Sequence, residues 1–99
     1  MSERRSWASK RSEILGEPES RAEYEAARLR FELGEAVRGR REELGLTQAE
    51  LARRAGLKQS AVARLEMGGT MPSILTLERI ADALGMRLNV RFEPLHATG

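Results

Sequence analysis

Ninety-nine residues suffice for one modest core, and an apolar fraction of 40% with only four aromatics points to a core of Leu, Ala, Val and Ile. The charged fraction is 32% with a formal net charge of +2, a balance too even to mark a nucleic-acid binder by itself. The absence of cysteine excludes disulfides and thiolate metal sites.

Residues 1–16 are polar, with Trp7, Ile14 and Leu15 as the main apolar points. Trp7 and Ile14 are spaced to share one side of a short amphipathic helix, and an arm that orders only on a partner fits equally well. The opening "MSERRSWASKRSE" lacks the apolar stretch of a signal peptide, and no apolar run has the length of a membrane span. The expectation is a soluble, cytoplasmic protein.

"GEPES" at 16–20 is a break, after which Ser20 and Glu23 have the S-x-x-E spacing of a capping box. Tyr24, Ala27, Phe31, Val37 and Leu44 then recur at or near helical spacing, predicting a helix from about Arg21 to Leu44. Gly34 and Gly39 are candidate break points within it, and Gly45 is its natural stop. Thr47 and Glu50 set up a second capping box for a helix over Gln48–Ala55, ended by Gly56. A third helix runs from about Gln59 to Glu66 and stops at Gly68 and Gly69. Ser73 caps a fourth, which places Ile74, Leu77, Ile80, Ala81 and Leu84 on one face before Gly85.

The period then changes. In "MRLNVRF", Met86, Leu88, Val90 and Phe92 alternate with Arg87, Asn89 and Arg91, the pattern of a short C-terminal β-strand, with Pro94 limiting its continuation. A lone strand leaves its backbone polar groups unpaired, and no other segment reads as a strand. Pairing with the same segment of a second copy would give a twofold homodimer, with these four residues as the dimerisation set; an irregular tail lying on the domain is the alternative. The chain thus divides into an N-terminal helical extension (1–34), a helical domain (35–85) and a strand and tail (86–99).

Charge is distributed unevenly. Basic and acidic residues balance at seven each over 1–34, whereas 36–64 has seven basic residues (Arg38, Arg40, Arg41, Arg53, Arg54, Lys58, Arg64) against three acidic ones. That local excess suits a phosphate-facing surface, and a solvated mixed face is the bland alternative. Two short helices can form a helix-turn-helix if a small residue sits where they touch, a residue tolerant of positive φ makes the turn, and an apolar anchor lies in the second helix. Ala52, Gly56 and Val62 meet all three requirements at the right spacing. Ala52, Val62, Leu65, Leu77, Ile80 and Leu84 are therefore core residues, and Glu66 is expected to cap or pair near the turn. His96 is a lone tail histidine, and with no cysteine and no Gly-rich phosphate loop the sequence offers no catalytic, metal or cofactor constellation.

The run "GLTQAELARRAGLKQSAVARLEMGGTMPSILTLERIADALG", from Gly45 to Gly85, resembles the Cro/C1-type (XRE, lambda repressor-like) helix-turn-helix domain of phage repressors and bacterial regulators. The T-Q-x-x-L-A opening, the Gly56 turn, the V-x-x-L-E close of the third helix and the P-S-x-x-T-L-E-x-I-A-x-A-L-G fourth helix carry the likeness. It implies an all-α bundle that docks the third helix in the major groove of double-stranded DNA. Dimers of such a bundle read inverted-repeat operators. By position, Gln48 points its amide and backbone N–H at a phosphate, favoured at a helix N-terminus. Lys58, Gln59 and Ser60 lie at the entrance of the reading helix, where Gln59 suits an adenine edge and Lys58 a guanine or phosphate. Ala63 can meet a thymine methyl, and Arg64 a guanine or a phosphate. Arg53 and Arg54 read better as a solvated face. Arg38, Arg40 and Arg41 are candidates for phosphate contact or for surface pairs with Glu42 and Glu43.

The flanks "LGEPESRAEYEAARLRFELGEAVRGRREELGLTQ" and "LGMRLNVRFEP" are similar to HigA-type antitoxins of type II toxin–antitoxin modules. That narrower resemblance implies neutralisation of a RelE/HigB-like mRNA-cleaving toxin and repression of the protein's own operon, with Trp7, Ile14, Leu15 and Tyr24 as toxin-binding candidates. A stand-alone regulator, and a protein–protein adaptor that does not touch DNA, are the competing functions.

Overall fold

Four stop signals in the sequence separate four helices, and the computed structural model, which describes residues 20–95, shows each of them. Helix α1 spans Arg21–Glu43, α2 Gln48–Ala55, α3 Gln59–Glu66 and α4 Ile74–Ala83. Trp7, Ile14, Leu15 and His96 lie outside the described residues.

Three of the helices begin on a side-chain oxygen that accepts one of the otherwise orphan backbone N–H groups. Ser20 accepts from the Glu23 N–H at 3.1 Å, and Ser73 from the Thr76 N–H at 3.1 Å. At α2 the box is reciprocal: Thr47 Oγ1 accepts from the Glu50 N–H at 3.0 Å, and Glu50 Oε1 accepts from the Thr47 N–H at 2.8 Å. That backbone hydrogen bond from Thr47 holds the Glu50 carboxyl below its usual 4.5, with the nearby Arg53 and Arg54 charges adding to the shift. The turn after α2 is left-handed at Gly56, φ 71°, a conformation that a β-carbon would strain.

Neither glycine in α1 interrupts the helix. Gly34 instead admits a neighbour: a β-carbon there would lie 2.5 Å from the Leu65 carbonyl oxygen and 2.7 Å from that of Glu66. The C-terminal turn of α3 therefore rests directly on the backbone of α1 at this point. Gly39 faces open space.

The core gathers Val37 of α1, Leu46 of the connection, Leu51, Ala52 and Ala55 of α2, Val62 and Leu65 of α3, and Leu77, Ile80 and Leu84 around α4. Leu51 and Val62 are wholly shielded, and burial on that scale stabilises the fold by roughly 1.5–3 kcal/mol per side chain. Helix α2 packs against both α3 and α4, while α1 lies across α3. A second, smaller cluster holds Ala27 and Phe31, with half-buried Tyr24 packed on it.

The strand expected over Met86–Phe92 is not formed: among the described residues there is no strand, and 86–94 follow α4 as irregular chain. The physical reason is the one that made the assignment conditional. The described chain supplies no second strand to complete a ladder. Leu88 packs on the core, whereas Met86, Val90 and Phe92 are exposed, Phe92 completely. No helix among the described residues is long and apolar enough to cross a membrane.

Candidate nucleic-acid interface

Helix α3 presents two opposite faces. Val62, Leu65 and Glu66 are buried, while Gln59, Ser60 and Arg64 are exposed and Ala63 is half-buried between them. The exposed residues fall at helical spacings of one, four and five, so they form one stripe along the outside. The residue in the N-cap position is Lys58, exposed and unable to accept a hydrogen bond, so α3 begins without a side-chain cap. Its first N–H groups therefore face outward beside a cationic side chain, at the helix end whose dipole favours anions.

Two groups of basic residues differ in their partners. On α1 three arginines pair with carboxylates of the same helix: Arg28 with Glu25 and Glu32, Arg38 with Glu35, Arg40 with Glu43 at 3.3 Å and with the Leu84 carbonyl oxygen at 3.1 Å. Arg28 is raised above its ordinary pKa chiefly by the Glu25 hydrogen bond. Arg53, Arg54, Lys58 and Arg64, in and around the turn unit, have no carboxylate in ion-pair contact among the described residues and are exposed. Four uncommitted positive charges thus lie in and around the unit that carries the exposed stripe of α3; Arg21, Arg79 and Arg87 are likewise exposed and outside any ion pair among the described residues. Arg40 makes the expected surface pair with Glu43, whereas Arg38 pairs with Glu35 and not with Glu42 or Glu43.

Arg41 is different. Its guanidinium donates from Nε to Glu66 Oε2 at 2.7 Å, from a terminal nitrogen to Glu66 Oε1 at 2.9 Å, and from the other to the Leu46 carbonyl oxygen at 2.9 Å. The Glu66 side chain is only 2% exposed, and hydrogen bonding to it holds the Arg41 pKa above its ordinary value. Glu66 Oε1 also accepts from Gln48 Nε2 at 3.0 Å. One N–H of the Gln48 amide is therefore turned inward, toward the end of α3. Its Oε1 and its backbone N–H, at the first position of α2, have no partner in this network.

This junction ties α1, the start of α2 and the end of α3 into one unit. Sequence reading anticipated that Glu66 pairs near the turn, but it had Arg41 as a surface residue. The missed signal is a carboxylate one position beyond a buried Leu, on a helix whose inner face must meet the basic face of α1. Tyr24 packs on its own domain beside Ala27 and Phe31. Among the described residues no group of three potential metal ligands comes together.

Comparison with known proteins is consistent with this geometry. Residues 37–90 match the model of the helix-turn-helix family. The chain is 49% identical over 49 residues to an HTH-type transcriptional regulator of Methanothermobacter thermautotrophicus, a match covering 50% of this chain and 71% of that protein. It is 32% identical over 84 residues to an HTH-type transcriptional regulator of Haemophilus influenzae, covering 85% and 82% of the two chains. A third match is to the immunity repressor protein of Bacillus phage phi105, 39% identical over 57 residues, 58% of this chain and 40% of the repressor. No solved structure matches the chain.

Proposed function

The chain belongs to the helix-turn-helix family, and from that premise we propose that it is a sequence-specific DNA-binding regulator of transcription that represses as a homodimer on an inverted-repeat operator. The observation that carries this reading is the outer stripe of α3: an exposed, uncapped N-terminus bearing Lys58, Gln59 and Ser60, continued by Ala63 and Arg64, beside uncommitted arginines. Relatives named as regulators and as a phage repressor support it.

In this reading α3 enters the major groove and each residue has a role. Gln59 hydrogen-bonds an adenine edge, Lys58 and Arg64 contact guanine or phosphate, Ser60 hydrogen-bonds a base edge or phosphate, and Ala63 lies against a thymine methyl. Gln48 meets a phosphate through its backbone N–H, at the α2 N-terminus, while Glu66 fixes its side chain. A twofold dimer sets two such helices about one DNA turn apart.

The deciding experiment compares binding of the parent chain and Gln59→Ala to the selected operator and to random DNA. Losing Gln59 is expected to weaken operator binding by ~1–3 kcal/mol and random binding much less. Equal losses on both would show that Gln59 positions the protein without reading sequence. Affinity that is absent, or insensitive to salt, would turn the reading to a protein–protein adaptor.

The flanking segments similar to HigA-type antitoxins favour a second reading, in which the same regulator also neutralises a RelE/HigB-like toxin. Trp7, Ile14, Leu15 and Tyr24 would then anchor the toxin, large apolar side chains on a polar extension being apt for that role. Co-expression with the product of the adjacent reading frame tests it. Copurification and relief of growth arrest support the antitoxin reading, and neither occurring leaves the regulator alone.

A further inference from the structure

An open apolar groove of about 110 Å³ lies between α1, α4 and the chain that follows, lined by Leu33, Ala36, Leu77, Ile80, Met86 and Leu88 among others. One water takes ~10–15 Å³ on this measure, so the groove has room for a large side chain in place of several waters that its apolar lining would bind poorly. The protein's own tail passes the groove at Met86–Leu88 and then leaves it, exposing Val90 (67%), Phe92 (104%) and Leu95 (72%).

We propose that the occupant is a second copy's tail, two tails crossing antiparallel on a twofold axis at Val90 so that each Phe92 seats in the other copy's groove. The proposal rests on the homodimer reading above and supplies its surface. Register and charge support it together. With the axis at Val90, Phe92 faces Leu88 of the partner subunit, which borders the groove, and Glu93 faces Arg87 of the partner subunit. Apolar residue meets apolar residue, and acid meets base, without adjustment of register. Arg87 also lines the groove, so the ion pair closes its rim. The contact is isologous, each pairing occurring twice. Within one chain Glu93 has only an exposed contact with Arg91 at 3.6 Å to give up, one of little strength.

Sedimentation equilibrium on the full chain tests the assignment. The parent is expected to dimerise, and Phe92→Ala to raise the dimer dissociation constant about 30-fold, as for a central aromatic anchor. Ala36→Glu, at an exposed helical position of the groove wall, should dissociate the dimer while leaving the helical circular dichroism and melting temperature near the parent's. Glu93→Arg should weaken the dimer, and adding Arg87→Glu should restore it to within a few-fold of the parent. Leu75→Ser, on the other exposed apolar surface, should change nothing. A dimer indifferent to Phe92→Ala and Ala36→Glu, or one lost on Leu75→Ser, overturns the groove assignment while the homodimer stands. A monomeric parent removes the homodimer reading itself. A change in Trp7 fluorescence on Ala36→Glu without loss of the dimer would overturn the assignment in favour of the N-terminal segment.

Discussion

Glu66 sits where a carboxylate has little access to water, and its two oxygens are met by three donors from Arg41 and Gln48. Removing one partner from such an arrangement leaves an uncompensated buried charge, whereas replacing both by apolar groups of similar volume is often tolerated. Arg41→Met is therefore expected to destabilise the fold by ~3–5 kcal/mol, and adding Glu66→Met to recover most of that loss; urea titrations of the two variants check it. Glu50 sets a pH dependence at the same scale. Its carboxyl is lowered from 4.5 in the folded chain, so the stability it contributes is present above that value and is lost as pH falls through and below it. Glu50→Gln keeps the geometry of the capping box and cannot ionise. Its stability should fall less steeply than the parent's as acidification passes below pH 4.5, measured by thermal melts across that range.

At the scale of the element, α3 reverses the usual order of priorities for a helix start. Ser20, Thr47 and Ser73 cap their helices, but the helix that carries the candidate reading residues begins on Lys58. Lys58→Ser should add a side-chain acceptor and stabilise the fold by ~1 kcal/mol while weakening DNA binding by removal of a positive charge. Affinity unchanged or raised in this variant would show that Lys58 makes no favourable contact with DNA. The helices themselves were legible because apolar period, capping residues and terminal glycines agreed at each of the four. What periodicity does not report is which faces meet. Gly34 read as a possible break, yet it is where α1 admits α3, because a glycine's missing side chain is seen only from the neighbour's position. The alternation from Met86 to Phe92 was real, but alternation describes a surface and not a ladder, so no strand follows without a second strand to pair.

For the whole molecule the net charge of +2 conceals a division of labour. The carboxylates of α1 pair with Arg28, Arg38 and Arg40 of the same helix, and the turn unit keeps Arg53, Arg54, Lys58 and Arg64 uncommitted. DNA affinity should consequently fall linearly on a log–log plot against salt. Arg64→Gln should reduce the slope by ~1 if Arg64 meets a phosphate, with Arg38→Gln leaving the slope unchanged. Titrations at four or five salt concentrations separate the two sets. The outward placement of Gln59, Ser60 and Arg64 was visible in the sequence because the turn geometry assigns each position an orientation. The division among the arginines was not, since it depends on which carboxylate lies within reach in space.

The direct rest of α3 on α1 at Gly34, reinforced by the Arg41–Glu66 junction, has a consequence for control. A helix seated backbone to backbone has no slack in which to pivot, so its angle to the rest of its own subunit is not an adjustable quantity. In the proposed dimer, what remains adjustable is the separation and phase of the two α3 helices. A signal that tuned the grip of such a dimer on its operator would then act as a caliper does, by changing the span between two rigid jaws and not the shape of either.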